Sequence, residues 1–184
     1  MKRYYLYFTL FLTTLLNGPS PHAAQLTPAT ANKPHFQEIA VELTTTLGDH
    51  HTYLEGDPIS FLVSLDRDAH LLLVYKDADK NLVQLLPNRF SGNAFYAADF
   101  FIEIPGATDT FTLKAGPPFG TETFWMFAAS TPFPKLGGTT LPSGLVLLDK
   151  PLTYIQNQLV RHAQTSGAAY GEASTTIKTV PKND

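Results

Sequence analysis

The sequence predicts a mainly β fold: an antiparallel β-sandwich, immunoglobulin-like, with one C-terminal amphipathic helix. Three observations carry that expectation. Short runs of alternating apolar and polar residues recur between positions 36 and 130, the period-two signature of half-buried strands. Clusters of Gly, Pro, Asp and Asn separate them at close, regular spacing, as sandwich turns require. After that block the periodicity changes once, to a helical stripe over residues 150–165.

A length of 184 residues suits one domain, and 43% apolar with 12% aromatic residues supplies a core. The net charge of −3 comes without a clustered basic patch, which argues against nucleic acid as a partner. The absence of cysteine excludes disulfides, thiolate metal sites, a Cys nucleophile and an acylated lipoprotein Cys.

Residues 1–24 have the form of a Sec-type signal peptide. Lys2 and Arg3 precede an uncharged apolar run, Tyr4 to Leu16, and His22-Ala23-Ala24 offers small residues for cleavage after Ala23 or Ala24. The run is shorter than the roughly 20 residues of a membrane span, so no integral span is expected after cleavage; the rival reading is a short uncleaved anchor. Loss of Lys2 and Arg3 shifts the net charge from −3 to −5. Residues 25–35, rich in Pro, Thr and Ala, form an expected flexible lead-in.

The sandwich is expected over 36–132. Ile39, Val41 and Leu43 share one face of a strand spanning Phe36 to Thr45. A turn at Gly48-Asp49-His50-His51 follows, and a second at Glu55-Gly56-Asp57-Pro58. Ile59, Phe61, Val63 and Leu65 then alternate with polar positions. The run Ala69 to Lys76 is apolar on both faces, which marks a central strand. Asp77 to Asn81 turns the chain into Leu82 to Leu86, and Pro87-Asn88 stops it. Arg89 to Ala98 is irregular, with Gly92 and Asn93 as turn formers. Phe100 to Ile104, Phe111 to Ala115 and Thr121 to Ser130 complete the block.

Residues 133–184 are expected to pack on the same domain. Thr131 to Leu148 is a Pro/Gly-rich connection, and Asp149 is placed to cap a helix with Pro151 in its first turn. Leu152, Ile155, Leu159 and Ala163 form its apolar stripe, Arg161 and His162 suit the C-terminal end of the dipole, and Gly167 closes it. A β-prone run, 174–180, is expected to pair with the Phe36–Thr45 strand and close the domain.

The ordered motifs carry a resemblance. Tyr53-Leu54-Glu55-Gly56-Asp57-Pro58 precedes an alternating strand, and Leu72, Val74 and Tyr75 precede an acidic turn. Leu85-Leu86-Pro87-Asn88, Ile104-Pro105 and Phe119-Gly120-Thr121-Glu122 ahead of Ala128-Ala129-Ser130 follow in order. Over 52–132 the chain thereby resembles the bacterial family called domain of unknown function 4384 (DUF4384); Lys80-Asn81 departs from it where a Gly is expected. The resemblance implies an accessory module of bacterial envelope proteins, of a kind also found beside caspase-like, kinase and curli-secretion-like domains. It implies no catalytic residues.

Candidate chemistry is sparse. Asp77-Ala78-Asp79-Lys80-Asn81 imitates the start of a calcium loop, but position 6 is Leu82 and position 12 is Asn88, so a hairpin turn is expected. His50-His51 lacks a third ligand at useful spacing, and His35, His70 and His162 stand apart. No Gly-x-Ser-x-Gly elbow or Gly-rich phosphate loop occurs. Glu38, Glu42, Glu55, Glu103 and Glu122 are the carboxylates an acid–base pair could draw on; Glu38, Glu42 and Glu103 fall on polar strand faces. Trp125 is expected in the core.

The expected role is therefore non-catalytic, with no metal or cofactor. The chain reads as an exported binding or scaffolding module of the periplasm or cell envelope, acting through protein partners, and an accessory subunit of an envelope or secretion assembly. Phe90, Phe95, Tyr96 and Phe101 are its candidate partner-binding residues, with an exposed strand edge as a second surface. The alternatives are a carbohydrate- or cell-wall-binding module using the same rings and, more remotely, an envelope hydrolase.

Overall fold

The computed structural model describes residues 37–48, 50–91 and 94–182. The expected signal segment 1–24, the lead-in 25–35, Asp49 and the turn formers Gly92 and Asn93 lie outside the described residues.

Among the described residues thirteen strands and one helix follow in order. The strands are β1 Val41–Thr45, β2 Thr52–Leu54, β3 Pro58–Ile59, β4 Phe61–Leu65, β5 Ala69–Lys76, β6 Leu82–Leu86 and β7 Phe95–Tyr96. Then come β8 Ile102–Ile104, β9 Leu113–Lys114, β10 Thr121–Ala129, β11 Gly138–Thr140 and β12 Val146–Leu148. The helix α1 spans Leu152–Ser166, and β13 spans Tyr170–Val180. The large sheet runs β11-β12-β6-β5-β10-β13-β2, with β7 beside β5; the small sheet runs β1-β4-β8, and β3 pairs β9. Every ladder is antiparallel except β13 with β2.

The fold is a β-sandwich with a helix on its back. The two-faced apolarity of β5 explains the layering. Leu71 and Leu73 pack toward the small sheet with Phe61, Val63, Ile104, Phe124 and Met126. Leu72 and Val74 point the other way, onto Ile155, Leu159 and Ala163 of α1, with Phe127 beside them. A strand buried on both faces must lie inside its sheet, and β5 lies between β6 and β10.

The acidic turns are structural. Asp57 Oδ2 accepts the Leu54 N–H at 2.8 Å, Gly56 turns with φ of +86°, and its N–H reaches the Ala115 carbonyl at 2.9 Å. Asp77 accepts both the backbone N–H of Asn81 at 2.7 Å and its side-chain amide at 2.8 Å, so 77–81 is the expected hairpin.

Four expectations are corrected. The closing strand begins at Tyr170, not 174, and lies between β10 and β2 instead of pairing with β1. The 37–40 lead-in touches it only at its start, where Ile39 N–H donates to the Tyr170 carbonyl at 2.9 Å and Tyr170 N–H to that of Gln37 at 2.9 Å. The connection 131–148 contains a hairpin, β11–β12, that extends the large sheet through β6. The helix starts two residues later than expected, with Pro151 rather than Asp149 at its N-cap; its C-cap Gly167 is left-handed as expected, at φ +66°. The Phe111–Ala115 strand shortens to β9, because Ala115 is spent on the Gly56 and Asp57 turn.

Candidate partner-binding surface

The described stretches 87–91 and 94–101 are irregular but firmly pinned. Asn88 ties its start: Nδ2 donates to the Leu85 carbonyl at 2.8 Å, and Oδ1 accepts from Phe90 N–H at 2.7 Å. Further on, Leu71 N–H donates to the Ala94 carbonyl at 2.9 Å, and β7 pairs with Ala69 and His70. Asp68 Oδ1 accepts Ala98 N–H at 2.8 Å, Leu65 N–H reaches the Asp99 carbonyl at 2.9 Å, and Asp99 Oδ1 accepts Phe100 N–H at 2.6 Å. Ordered backbone bonds thus present the aromatic side chains from a fixed scaffold.

The four candidate rings separate by strand parity. Tyr96 lies opposite Ala69 and turns into the sandwich; it is half-buried, and burial followed by the Asp109 charge pushes its phenol pKa up. Phe95 lies opposite His70 on the helix-side face, with ring centroids 4.9 Å apart. Phe90 holds the Arg89 guanidinium over its ring at 4.5 Å. Phe90 and Phe95 are each 44% exposed, whereas Phe101 is 76% exposed and its neighbour Phe100 78%. The rings therefore do not form one patch. The pair that stands farthest into solvent is Phe100-Phe101; the sequence places Phe100 in the same aromatic cluster but not among the four candidate binding residues. Alternation in phase with Ile102 and Ile104 hides it, because that phase would turn Phe100 inward, whereas the strand begins only at Ile102.

Phe101 and Glu103 project from the outer face of the small sheet, since Ile102 and Ile104 turn inward to the core. Glu42 projects outward on β1, opposite Ser64. An open cleft of about 660 Å³ runs beside them, lined by Glu42, Ser64, Leu65, Asp66, Asp99 and Phe100. Asp66 is engaged, accepting Ala40 N–H at 3.1 Å and pairing with Arg67 at 3.3 Å.

Of the five candidate glutamates, Glu122 alone is buried. It is 3% exposed, and its carboxylate accepts the Thr179 hydroxyl at 2.6 Å and a bond from Tyr75. Burial raises its pKa, opposed by those two hydrogen bonds and reinforced by the Asp77 charge. Burial likewise drives the Tyr75 phenol far above its usual range, with the Glu122 bond adding to it. A cleft of about 190 Å³ beside Glu122 is lined by Ile59, Tyr75, Leu113, Lys114 and Phe124. Glu42 and Glu103 occupy the two outer strands of the small sheet with β4 between them, so their Cα atoms stand roughly 10 Å or more apart.

Among the described residues no group of three or more His, Cys, Asp or Glu side chains converges to hold a metal. His51 sets its ring edge-on to Tyr53 at 4.8 Å. Trp125 packs against the helix-side core with the Lys76 ammonium 5.1 Å from its ring centroid. No helix among the described residues is long and apolar enough to cross a membrane.

Comparison with known families matches a family model described as "Domain of unknown function (DUF4384)" to residues 52–132, from β2 to just past β10. Comparison with curated proteins and with solved structures returned no match.

Proposed function

The chain carries a DUF4384 domain over residues 52–132, and on that footing we propose that it is an exported, non-catalytic binding module that engages a protein partner in the periplasm or cell envelope. The observation that carries the proposal is the Phe100-Phe101 pair, more than three-quarters exposed and held by the Asp99 and Asp68 hydrogen bonds of a pinned segment. Two adjacent large rings in water are a cost that a folded chain alone has no reason to bear, and association is the usual return on it. The leader-like residues 1–24 support the compartment.

A protein fits these rings better than a glycan does. Sugar platforms draw on Tyr and Trp, whose polar tips hydrogen-bond the hydroxyls they stack on. On this surface the polar-tipped Tyr96 is half-buried and the outermost rings are phenylalanines, while the exposed Tyr154 lies away from it on α1.

A photo-crosslinking amino acid in place of Phe101, with one in place of Tyr154 on α1 as the control, tests the proposal in cells or envelope extract. One protein adduct of defined mass at position 101 and none at 154 is expected. Adducts equally at both positions, or at neither, overturn it.

A further inference from the structure

We propose that the open edge of β8 accepts an extended segment of the partner as a fourth strand of the small sheet, and that this segment brings a Lys or Arg opposite Glu103 and a large apolar residue opposite Phe101. The inference rests on the binding role proposed above and names the chemistry of its partner.

The argument begins with which way β4 aims its backbone. Thr46 N–H donates to the Ser60 carbonyl on the β1 side at 3.0 Å, and Leu65 N–H donates to Asp99 on the β8 side at 2.9 Å. Backbone groups alternate sides along an antiparallel strand, so Phe61, Val63 and Leu65 bond toward β8. Their register partners Ile104 and Ile102 therefore turn their N–H and C=O to β4. Phe101 and Glu103 turn theirs outward, to an edge that no other strand covers among the described residues. The opposite edge of the same sheet is different, because the lead-in to β1 is tied onto β13 through Ile39 and Tyr170. Of the two edges of the small sheet, β8 is therefore the one that leaves its strand's own N–H and C=O groups free of a neighbouring lead-in for strand addition among the described residues.

The side chains on that edge set what can be added. Phe101 and Glu103 are two apart and share the outer face, so a new strand meets them with residues also two apart. Glu42 across the sheet, with Asp66 and Asp99 in the adjoining cleft, gives the face acidic surroundings, and the Arg67 guanidinium there is already paired with Asp66. A cation opposite Glu103 is thus favoured and an acidic residue repelled. The edge is also guarded: β8 has three residues, a charge at its middle and Pro105 after it. Those devices suppress indiscriminate pairing of edges, which leaves charge as the key to admission.

The test uses residues 25–184 and a random decapeptide display library. Enriched peptides should carry Lys or Arg two positions from an aromatic or branched apolar residue. Their affinity, read by fluorescence anisotropy, should fall about tenfold on Glu103→Lys, the effect of roughly 1.4 kcal/mol of lost charge complementarity. Exchanging the peptide's basic residue for Glu should restore binding to that variant, a result that damage to the fold would not give. Glu103 is exposed, so the variant keeps its far-UV circular dichroism. Peptides without the basic residue, or affinities indifferent to Glu103→Lys, overturn the strand inference while leaving the binding role in place. Absence of any adduct at position 101 in the crosslinking experiment overturns the role itself.

Discussion

Glu122 sits where a carboxylate is least at home, on the apolar face of β10 with Phe124, Met126 and Ala128. Desolvation favours its protonated form and so raises its pKa. A raised carboxyl pKa in the folded state means that the unfolded chain releases the proton first. The stabilisation is then complete below the unfolded pKa and is lost as pH rises through the higher, folded one. Glu122→Gln removes that dependence while keeping an oxygen for Thr179. The variant's stability relative to the parent should therefore increase from pH 4 to pH 7, measured by urea unfolding at each pH; a constant difference would show that burial does not shift this group. Glu122→Ala removes the acceptor of the Tyr75 phenol and leaves the Thr179 hydroxyl only its longer contacts to Gly120, and should cost about 1–3 kcal/mol at pH 4. This buried group was legible in the sequence, because its even number places it in phase with Phe124 and Met126. The hydrogen bond to Thr179 was not, since it joins residues 57 positions apart.

Elements differ in how far their own residues specify them. The interior position of β5 followed from apolar side chains on both faces, and the stripe of α1 followed from Ile155, Leu159 and Ala163. The placement of β13 did not follow, because alternation fixes a strand's faces and not its neighbours. What places β13 is contact across sequence. It pairs with β10 over nine positions from Thr121 to Ala129, and its first residues receive the lead-in to β1. Gly171 is decisive there: a Cβ would collide with the Ile39 carbonyl. Gly171→Ala should therefore push the 37–40 segment off the sheet and cost about 1–3 kcal/mol. Hydrogen exchange should show lost protection at Ile39 and Tyr170, the two donors of that junction, with β5 unaffected. Unchanged protection at Ile39 would place the junction's stability elsewhere. The hairpin β11–β12 escaped the sequence reading for a related reason. Its three-residue strands, Gly138–Thr140 and Val146–Leu148, are too short for a period to register, and the pairing with β6 supplies the order.

At the scale of the whole molecule, the family segment and the folding unit do not coincide. Residues 52–132 contain both central strands, β5 and β10, but stop before β13 and α1. Without β13, the full nine-residue edge of β10 is unpaired and β2 has no neighbour in the sheet. Without α1, Leu72, Val74 and Phe127 lose the helix that covers them. Without β1, Phe61, Val63 and Leu65 lose the strand that flanks them. A long, flat, apolar edge is a site of aggregation, and uncovered core faces cannot offset the entropy of ordering the chain. A fragment of residues 52–132 should therefore be poorly soluble and show no dispersed amide spectrum, whereas residues 37–182 should unfold in one urea transition. Mixing fragments 37–132 and 133–182 should restore that transition, because the second supplies β13 to the open edge of β10 and α1 to the uncovered face together. A dispersed spectrum from 52–132 alone would show that the sandwich face holds without its back layer. The partner strand proposed at β8 would then need none of the chain beyond β10 for its support.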